Sequence, residues 1–378
     1  MSFHTHIMSL SHPEINPKVP YNPNTLVSIA IPVYNGGKYL GETLESLLGQ
    51  SHQVLEIVIQ DDGSTDDSLE IARDFEKKDP RIRVLQNKCN AGMIQNWNQA
   101  VTACRGEWIQ LIGQDDLLQT RAIETALRSV HRDTRLIFAS RSFKFEENAS
   151  RRIREMYTHA LPTLAKMGFD TGIITPEEIS QSIRKLPMCY TNFLGEPLCG
   201  ILKKDVLEQD GLFNPELSQL ADYEFWLRYA LREPFMFIKE PLFTFRVHGD
   251  SATSSSHQDP LNGVHLESIR LILEFLESDT FANARARFPD LVLLWKDQLY
   301  YLIITLKAHF KRHPEAAANI QESPVERSRL APHLAKSLSL WKIGGIKYRG
   351  FVRNLRGMPL SYIFREIFYS GIRNRCKT

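Results

Sequence analysis

The apolar residues of this chain fall into two alternating rhythms over its first third. Residues 27–33, VSIAIPV, form an unbroken β-rich run, the pattern of a strand covered on both faces. After the turn Tyr34-Asn35-Gly36-Gly37, Leu40, Leu44, Leu47 and Leu48 recur at helical spacing. Residues 55–60 predict a second strand. Leu69, Ala72 and Phe75 then predict a second helix, opened by a capping box of Ser64 with Asp67. A third strand at 82–86 leads through Asn90-Ala91-Gly92 to a helix over 96–103, and a fourth strand lies in GEWIQLIGQDD, residues 106–116. Strands alternating with helices at this spacing predict a parallel α/β sheet with right-handed crossovers. Ligands of such sheets gather outside the carboxyl ends of the strands.

Further along, the rhythm loosens. A helix is expected over 121–130 and a strand over 136–140. Thr175-Pro176-Glu177-Glu178 has the cap, first-turn proline and first-turn acids of a helix start. Residues 192–198 are turn-rich, 199–202 read as a strand, and DYEFWLRYAL at 222–231 as a helix. Strands are predicted at 235–238 and 242–248, polar residues 249–258 break the pattern, and the chain beyond about 260 reads mostly helical. No internal repeat is evident. The expected division is a flexible leader over 1–24, an α/β domain over 25–258 and a helical region over 259–378.

Apolar residues at 43% and charged residues at 24% exclude wholesale disorder. Cys89, Cys104, Cys189, Cys199 and Cys376 are scattered and form no C-x-x-C pair, which points to a reducing cytoplasm. The first twenty residues lack the basic-then-apolar pattern of a signal peptide. The longest apolar stretch, 291–306, contains Lys296 and Asp297 and suits a buried helix better than a membrane span. The small formal charge of +2 hides an asymmetry: residues 333–378 carry ten Lys/Arg against one acid, Glu366, interleaved with seven aromatics. That tail fits an anionic membrane surface, or equally a helical appendage with its aromatics packed and its bases in water. Nucleic acid is not an expected partner, because no recognised binding module accompanies the charge.

The chemistry concentrates at two strand ends. Asp115 and Asp116 close the fourth strand, and paired carboxylates there repel one another unless a cation such as Mg²⁺ or Mn²⁺ lies between them. Asp61 and Asp62 close the second strand in the same way. Two acidic strand ends facing one crevice predict a site for a metal-bound nucleoside diphosphate. Plainer structural readings exist for each: Asp62-Gly63-Ser64 as a turn and helix cap, Asp115 as an acidic cap. A dinucleotide site is excluded because PVYNGGKYL follows the first strand where G-x-G-x-x-G is required.

Seven motifs in order, VSIAIPVYNGGKYLGETLESLLGQ, EIVIQDDGSTDDS, NAGMIQNWNQA, GEWIQLIGQDDLL, FLGEP, QLADYEFWLRYAL and FRVHGDSATSS, resemble the family 2 glycosyltransferases. The resemblance covers about residues 26–255. It implies a GT-A fold, Rossmann-like, with a mostly parallel central sheet flanked by helices and a C-terminal helical appendage. It further implies an inverting enzyme using a nucleotide-diphosphate sugar, UDP-linked by family habit, with Mn²⁺ or Mg²⁺. The acceptor would be a hydroxyl of a glycan or lipid-linked molecule, in surface polysaccharide assembly at the inner face of the membrane. On this resemblance Pro32, Tyr34, Asn35, Asp61 and Asp62 hold nucleobase and ribose, and Asp115 and Asp116 meet the cation. Asp222 is the general base that takes the acceptor's proton, and His248 reaches metal or diphosphate. Arg246 either pairs with phosphate oxygens or with a core carboxylate; Glu196 either binds sugar hydroxyls or steadies its loop. Asn96 and Asn98, on the helix before the metal strand, are candidates to line the nucleotide pocket. Two departures stand out. The family commonly has Asp where this chain has Gly113, and Glu where it has Ala221, which leaves a catalytically degenerate carbohydrate-binding scaffold as the alternative reading.

Overall fold

A computed structural model describes residues 17–249 and 264–312. Its first half follows the strand–helix rhythm: β1 Val27–Val33, α1 Gly37–Leu48, β2 Leu55–Asp61, α2 Ser68–Lys78, β3 Ile82–Gln86, α3 Met93–Thr102 and β4 Trp108–Leu111. β1 pairs in parallel with β2 on one side, from Val27 opposite Leu55 to Val33 opposite Asp61, and with β4 on the other. β3 pairs in parallel with β2. Every side chain of β1 but Pro32 is buried, as its apolar sequence requires of a strand covered on both faces. The chain therefore winds outward from β1 to β3 and then reverses to β4. That reversal opens a crevice beyond the carboxyl ends of β1 and β4.

The second half comprises β5 Leu117–Leu118, α4 Ala122–Arg128, β6 Leu136–Phe145, α5 Arg151–Glu155, β7 Gly172–Ile174, α6 Pro176–Lys185, β8 Gly200–Lys203, α7 Lys204–Asp210, α8 Ala221–Ala230, β9 Phe235–Val247, α9 Val264–Glu277, α10 Ala282–Arg287 and α11 Pro289–Arg312. Among the described residues the sheet has nine strands, ordered β3-β2-β1-β4-β8-β6-β9-β5, with β7 on β9. β8 runs antiparallel between β4 and β6, so the parallel α/β half is extended by a mixed one.

α8 is buried on all sides, from Ala221 to Ala230. Its Trp226 meets Phe138 of β6 edge-on at 4.9 Å, and a Cβ at Gly200 of β8 would stand 2.6 Å from the Trp226 ring. Only a glycine lets β8 pass this close to the helix.

Several expectations need correction. The predicted capping box of Ser64 and Asp67 does not form, because Ser64 Oγ instead accepts from Asn35 N at 3.0 Å and Asp66 Oδ1 from Ser68 N at 3.1 Å. The expected Thr175 cap forms, and as a full capping box: Thr175 Oγ1 accepts from Glu178 N at 3.3 Å while the Glu178 carboxylate accepts from Thr175 N at 2.8 Å. The two strands predicted at 235–238 and 242–248 are one, β9; the polar break at Lys239-Glu240 is absorbed as a bulge opposite Ser140. Pro17 to Asn24, grouped with the leader, lies against the domain, with Val19 N donating to Val130 O at 2.9 Å and Tyr21 Oη 2.9 Å from His52 Nδ1. In α11 the residues Leu291, Trp295, Leu299 and Leu302 are buried at helical spacing, and among the described residues no helix is long and apolar enough to cross a membrane. The basic tail over 333–378 lies outside the described residues.

Candidate active site

A cleft of about 490 Å³ opens at the chain reversal, lined by residues from the ends of β1 and β4, from α3, from α8 and from β9. Its volume lies in the range of small-molecule sites. Five carboxylates face it, Asp62, Asp115, Asp116, Glu196 and Asp222, and no Lys or Arg is among its lining residues.

Asp115 and Asp116 sit on the loop leaving β4. Asp116 is only 3% exposed. Burial, and then the charge of the neighbouring Asp115, push its carboxyl well above the ordinary range. The loop is pinned from behind. Arg246 N donates to Asp116 Oδ1 at 3.0 Å and Arg246 Nε to the Asp115 carbonyl at 2.7 Å. The rest of that guanidinium is committed to Glu146 at 2.5 Å and Glu42 at 2.6 Å. Arg246 thus pairs with protein carboxylates, although these are the exposed Glu42 and half-buried Glu146 rather than core acids, and it lies outside the cleft lining. His248 does line the cleft, but its Nε2 is 2.8 Å from Asp115 Oδ2, so it orients that carboxylate rather than offering this nitrogen to an ion.

The residues expected around the nucleotide divide into two groups. Pro32, Tyr34, Asp62 and Asn96 line the cleft; Asn35, Asp61 and Asn98 do not. Tyr34 is 44% exposed and lines the cleft. Asp62 holds the loop before α3, accepting from Asn87 Nδ2 at 2.7 Å, Ala91 N at 2.8 Å and Gly92 N at 3.0 Å. Asn96 is buried and donates to Gln60 O at 3.0 Å. Asn35 takes a left-handed conformation, φ 50°, with its side chain accepting from Thr65 N at 2.8 Å, which shapes the turn after β1. Asp61 Oδ2 accepts from Gly63 N and Ser64 N, each at 3.2 Å. Asn98 is paired in both directions with the backbone of Phe213, Nδ2 to O at 2.9 Å and Oδ1 from N at 3.0 Å. It is a structural clamp.

Asp222 lies in the first turn of α8, 9% exposed. Oδ1 accepts from Tyr223 N at 2.6 Å and Oδ2 from Asn192 Nδ2 at 3.2 Å. Burial, with the Glu196 carboxylate adding to it, pushes Asp222 up to about 8. Glu196 is held by the buried guanidinium of Arg141, Nη2 to Oε1 at 2.9 Å. Sequence reasoning missed Arg141, although a charged residue within the strand β6 is itself a signal that a buried partner is near. It also missed Gln114, whose side chain accepts from Tyr34 N at 2.9 Å and donates to Tyr34 O at 3.2 Å, tying the first-strand turn to the acid loop.

The acid loop fits a divalent cation on one observation. A Cβ at Gly113 would stand 2.7 Å from Asp115 Oδ1 and 2.7 Å from Asp116 Oδ2, so two carboxylate oxygens converge over a bare glycine. Gly113 thus leaves no room for the third acid common in the family pattern. Among the described residues no group of three or more His, Cys, Asp or Glu has metal-binding geometry, so an ion here would take its remaining ligands from water and from the bound phosphates.

The profile described as "Glycosyl transferase family 2" matches residues 28–209. Glycosyltransferase GlyG of Streptococcus pneumoniae is 36% identical over 123 residues, 32% of this chain and 41% of that protein. Chondroitin synthase of Escherichia coli is 29% identical over 228 residues, 60% of this chain and 30% of that protein. This chain thus spans less than half the length of both. Among solved structures, S. aureus TarS 1–349 in complex with UDP-GlcNAc is similar with a TM-score of 0.54 over 93% of this chain and 92% of that one, at 17% identity, which is a likeness of fold.

Proposed function

Residues 28–209 of this chain are a family 2 glycosyltransferase domain, and on that premise we propose that it transfers a sugar, with inversion, from a nucleoside diphosphate donor to an acceptor hydroxyl. The observation that carries this reading is the acid loop, where Asp115 Oδ1 and Asp116 Oδ2 converge over Gly113 in a cleft with no Lys or Arg in its lining. With no basic side chain there, a diphosphate would be held through a divalent cation. UDP-linked sugars are the favoured donors, in keeping with the UDP-GlcNAc bound by the TarS structure. A glycan or lipid-linked acceptor, in polysaccharide assembly, fits the kinship with a chondroitin synthase.

The chain's own residues divide the work. Asp115 and Asp116 would hold Mn²⁺ or Mg²⁺ through the oxygens that converge over Gly113. When bound, the ion draws off the negative charge that builds on the departing diphosphate. Tyr34 offers its ring to the nucleoside. Glu196, fixed by Arg141, accepts from sugar hydroxyls. Asp222 takes the acceptor's proton as the new bond forms at the anomeric carbon and the bond to phosphate breaks. The basic, aromatic-rich tail serves as a contact to anionic membrane; sedimentation with anionic vesicles, lost on truncation near His333, tests that role.

Asp222 acts only when ionised. With its carboxyl near 8, kcat/KM should climb as pH rises toward 8 and level off above it. The test is release of nucleoside diphosphate from a panel of UDP-, GDP- and TDP-sugars with Mn²⁺, followed by that pH profile on the best donor. No turnover and no metal-dependent binding across the panel would reject the enzyme. A profile flat from pH 6 to 9 would remove Asp222 as the base.

A further inference from the structure

Two cleft residues, Ser218 and Gln219, lie on the short segment that leads into α8. Their backbone does not satisfy itself. The N–H groups of Ser218, Gln219 and Leu220 all donate to one side chain, Glu267 of α9: Ser218 to Oε1 at 3.1 Å, Gln219 to Oε2 at 2.6 Å and Leu220 to Oε2 at 3.1 Å. The Ser218 hydroxyl donates to Oε1 as well. Glu267 is 5% exposed. Four donors thus converge on one buried carboxylate, at the end of α8 where the helix dipole favours negative charge. Asp222 follows two residues after the last of them.

We infer that Glu267 is a positioning residue for the transfer reaction: it fixes the segment 218–220 and, through it, the direction of Asp222. This inference rests on the reading of Asp222 as the base. It ties α9, which lies beyond the 28–209 match, to the cleft wall. The arrangement needs a carboxylate. An amide in its place keeps one accepting oxygen but turns an NH₂ group toward N–H donors, so one pair of bonds becomes a clash of donors.

The test compares Glu267→Gln with Ile272→Val, a substitution at a buried position of α9 that removes no hydrogen-bonding group. Glu267→Gln should lower kcat by at least about tenfold, as expected of a misplaced catalytic group, with donor KM unchanged. Amide exchange at Ser218, Gln219 and Leu220 should quicken by about tenfold or more, while the rest of α8 stays protected. Ile272→Val should do neither. A wild-type kcat in Glu267→Gln, or an equal fall in Ile272→Val at the same loss of Tm, would overturn the positioning role. Were the wild type inactive on every donor, the proposed function would fall, while exchange rates would still decide whether Glu267 holds this segment.

Discussion

One wall of the cleft carries Asp115 and Asp116 on the loop after β4; another carries Asp222 at the start of α8. On the first wall two adjacent carboxylates crowd one loop: Asp116 is pushed well above the ordinary range by burial and by Asp115, and Asp115 has His248 Nε2 at 2.8 Å. Arg246 holds the loop's backbone from behind and spends the rest of its guanidinium on Glu42 and Glu146, so no Lys or Arg lines the cleft at this wall. The α8 wall is balanced. There Glu196 has Arg141 as its counter-ion, and Asp222, held by Asn192, is pushed up to about 8 by burial. On the proposed reading the same residue type does two jobs because the surroundings differ. Adjacent carboxylates would offer oxygens to a cation, whereas isolation in a buried, partly neutralised setting would leave a base with a carboxyl near working pH.

Asp222→Asn strikes the second wall alone and should have the largest effect. We expect kcat to fall by about 10²–10⁴-fold, the span of general-base catalysis, with UDP affinity in Mn²⁺ unchanged by calorimetry. The same variant should raise Tm relative to the wild type at pH 8. A carboxyl whose folded value is raised opposes folding as pH climbs from its unfolded value toward about 8. Retained turnover in Asp222→Asn would break the contrast between the walls.

Gly113→Ala strikes the first wall. Its methyl would press on Asp115 Oδ1 and Asp116 Oδ2, and overpacking of this kind costs about 1–3 kcal/mol. Metal-dependent UDP affinity should drop about tenfold, with the pH profile of turnover keeping its shape. A shifted profile at unaltered affinity would mean that the two walls do not act separately.

Asn98→Ala should matter least to chemistry. It leaves the backbone N–H and C=O of Phe213 without their partners, a loss of about 1–3 kcal/mol in stability. Thermal unfolding should record that loss while kcat per folded molecule stays put. A selective loss of UDP binding would return Asn98 to the nucleotide pocket.

The half of the fold from β1 to β4 was legible because each strand and helix there declares itself by local apolar spacing. Asp115 and Asp116 could be singled out because paired acids at the end of a buried strand repel one another unless something positive joins them, and Asp222 only through the resemblance of its motif. What escaped depends on distant partners. Asn98 and Phe213 are 115 residues apart, and Arg246 could be read as a phosphate ligand until Glu42, 204 residues away, was seen to occupy it. β9 was read as two strands because Lys239-Glu240-Pro241 has the composition of a turn; β6 runs alongside it and the mismatch becomes a bulge. Gln114 gave no warning, since a glutamine's role lies entirely in which backbone it meets.

Calorimetric titration of UDP into the protein, in Mn²⁺ and then in excess chelator, probes the charge of the cleft most directly. We predict binding in Mn²⁺ and affinity lower by about a hundredfold or more in chelator, since several kcal/mol of charge stabilisation leaves with the ion. Equal affinity in the two solutions would contradict the account, because UDP would then be held in a cleft of five carboxylates without a cation.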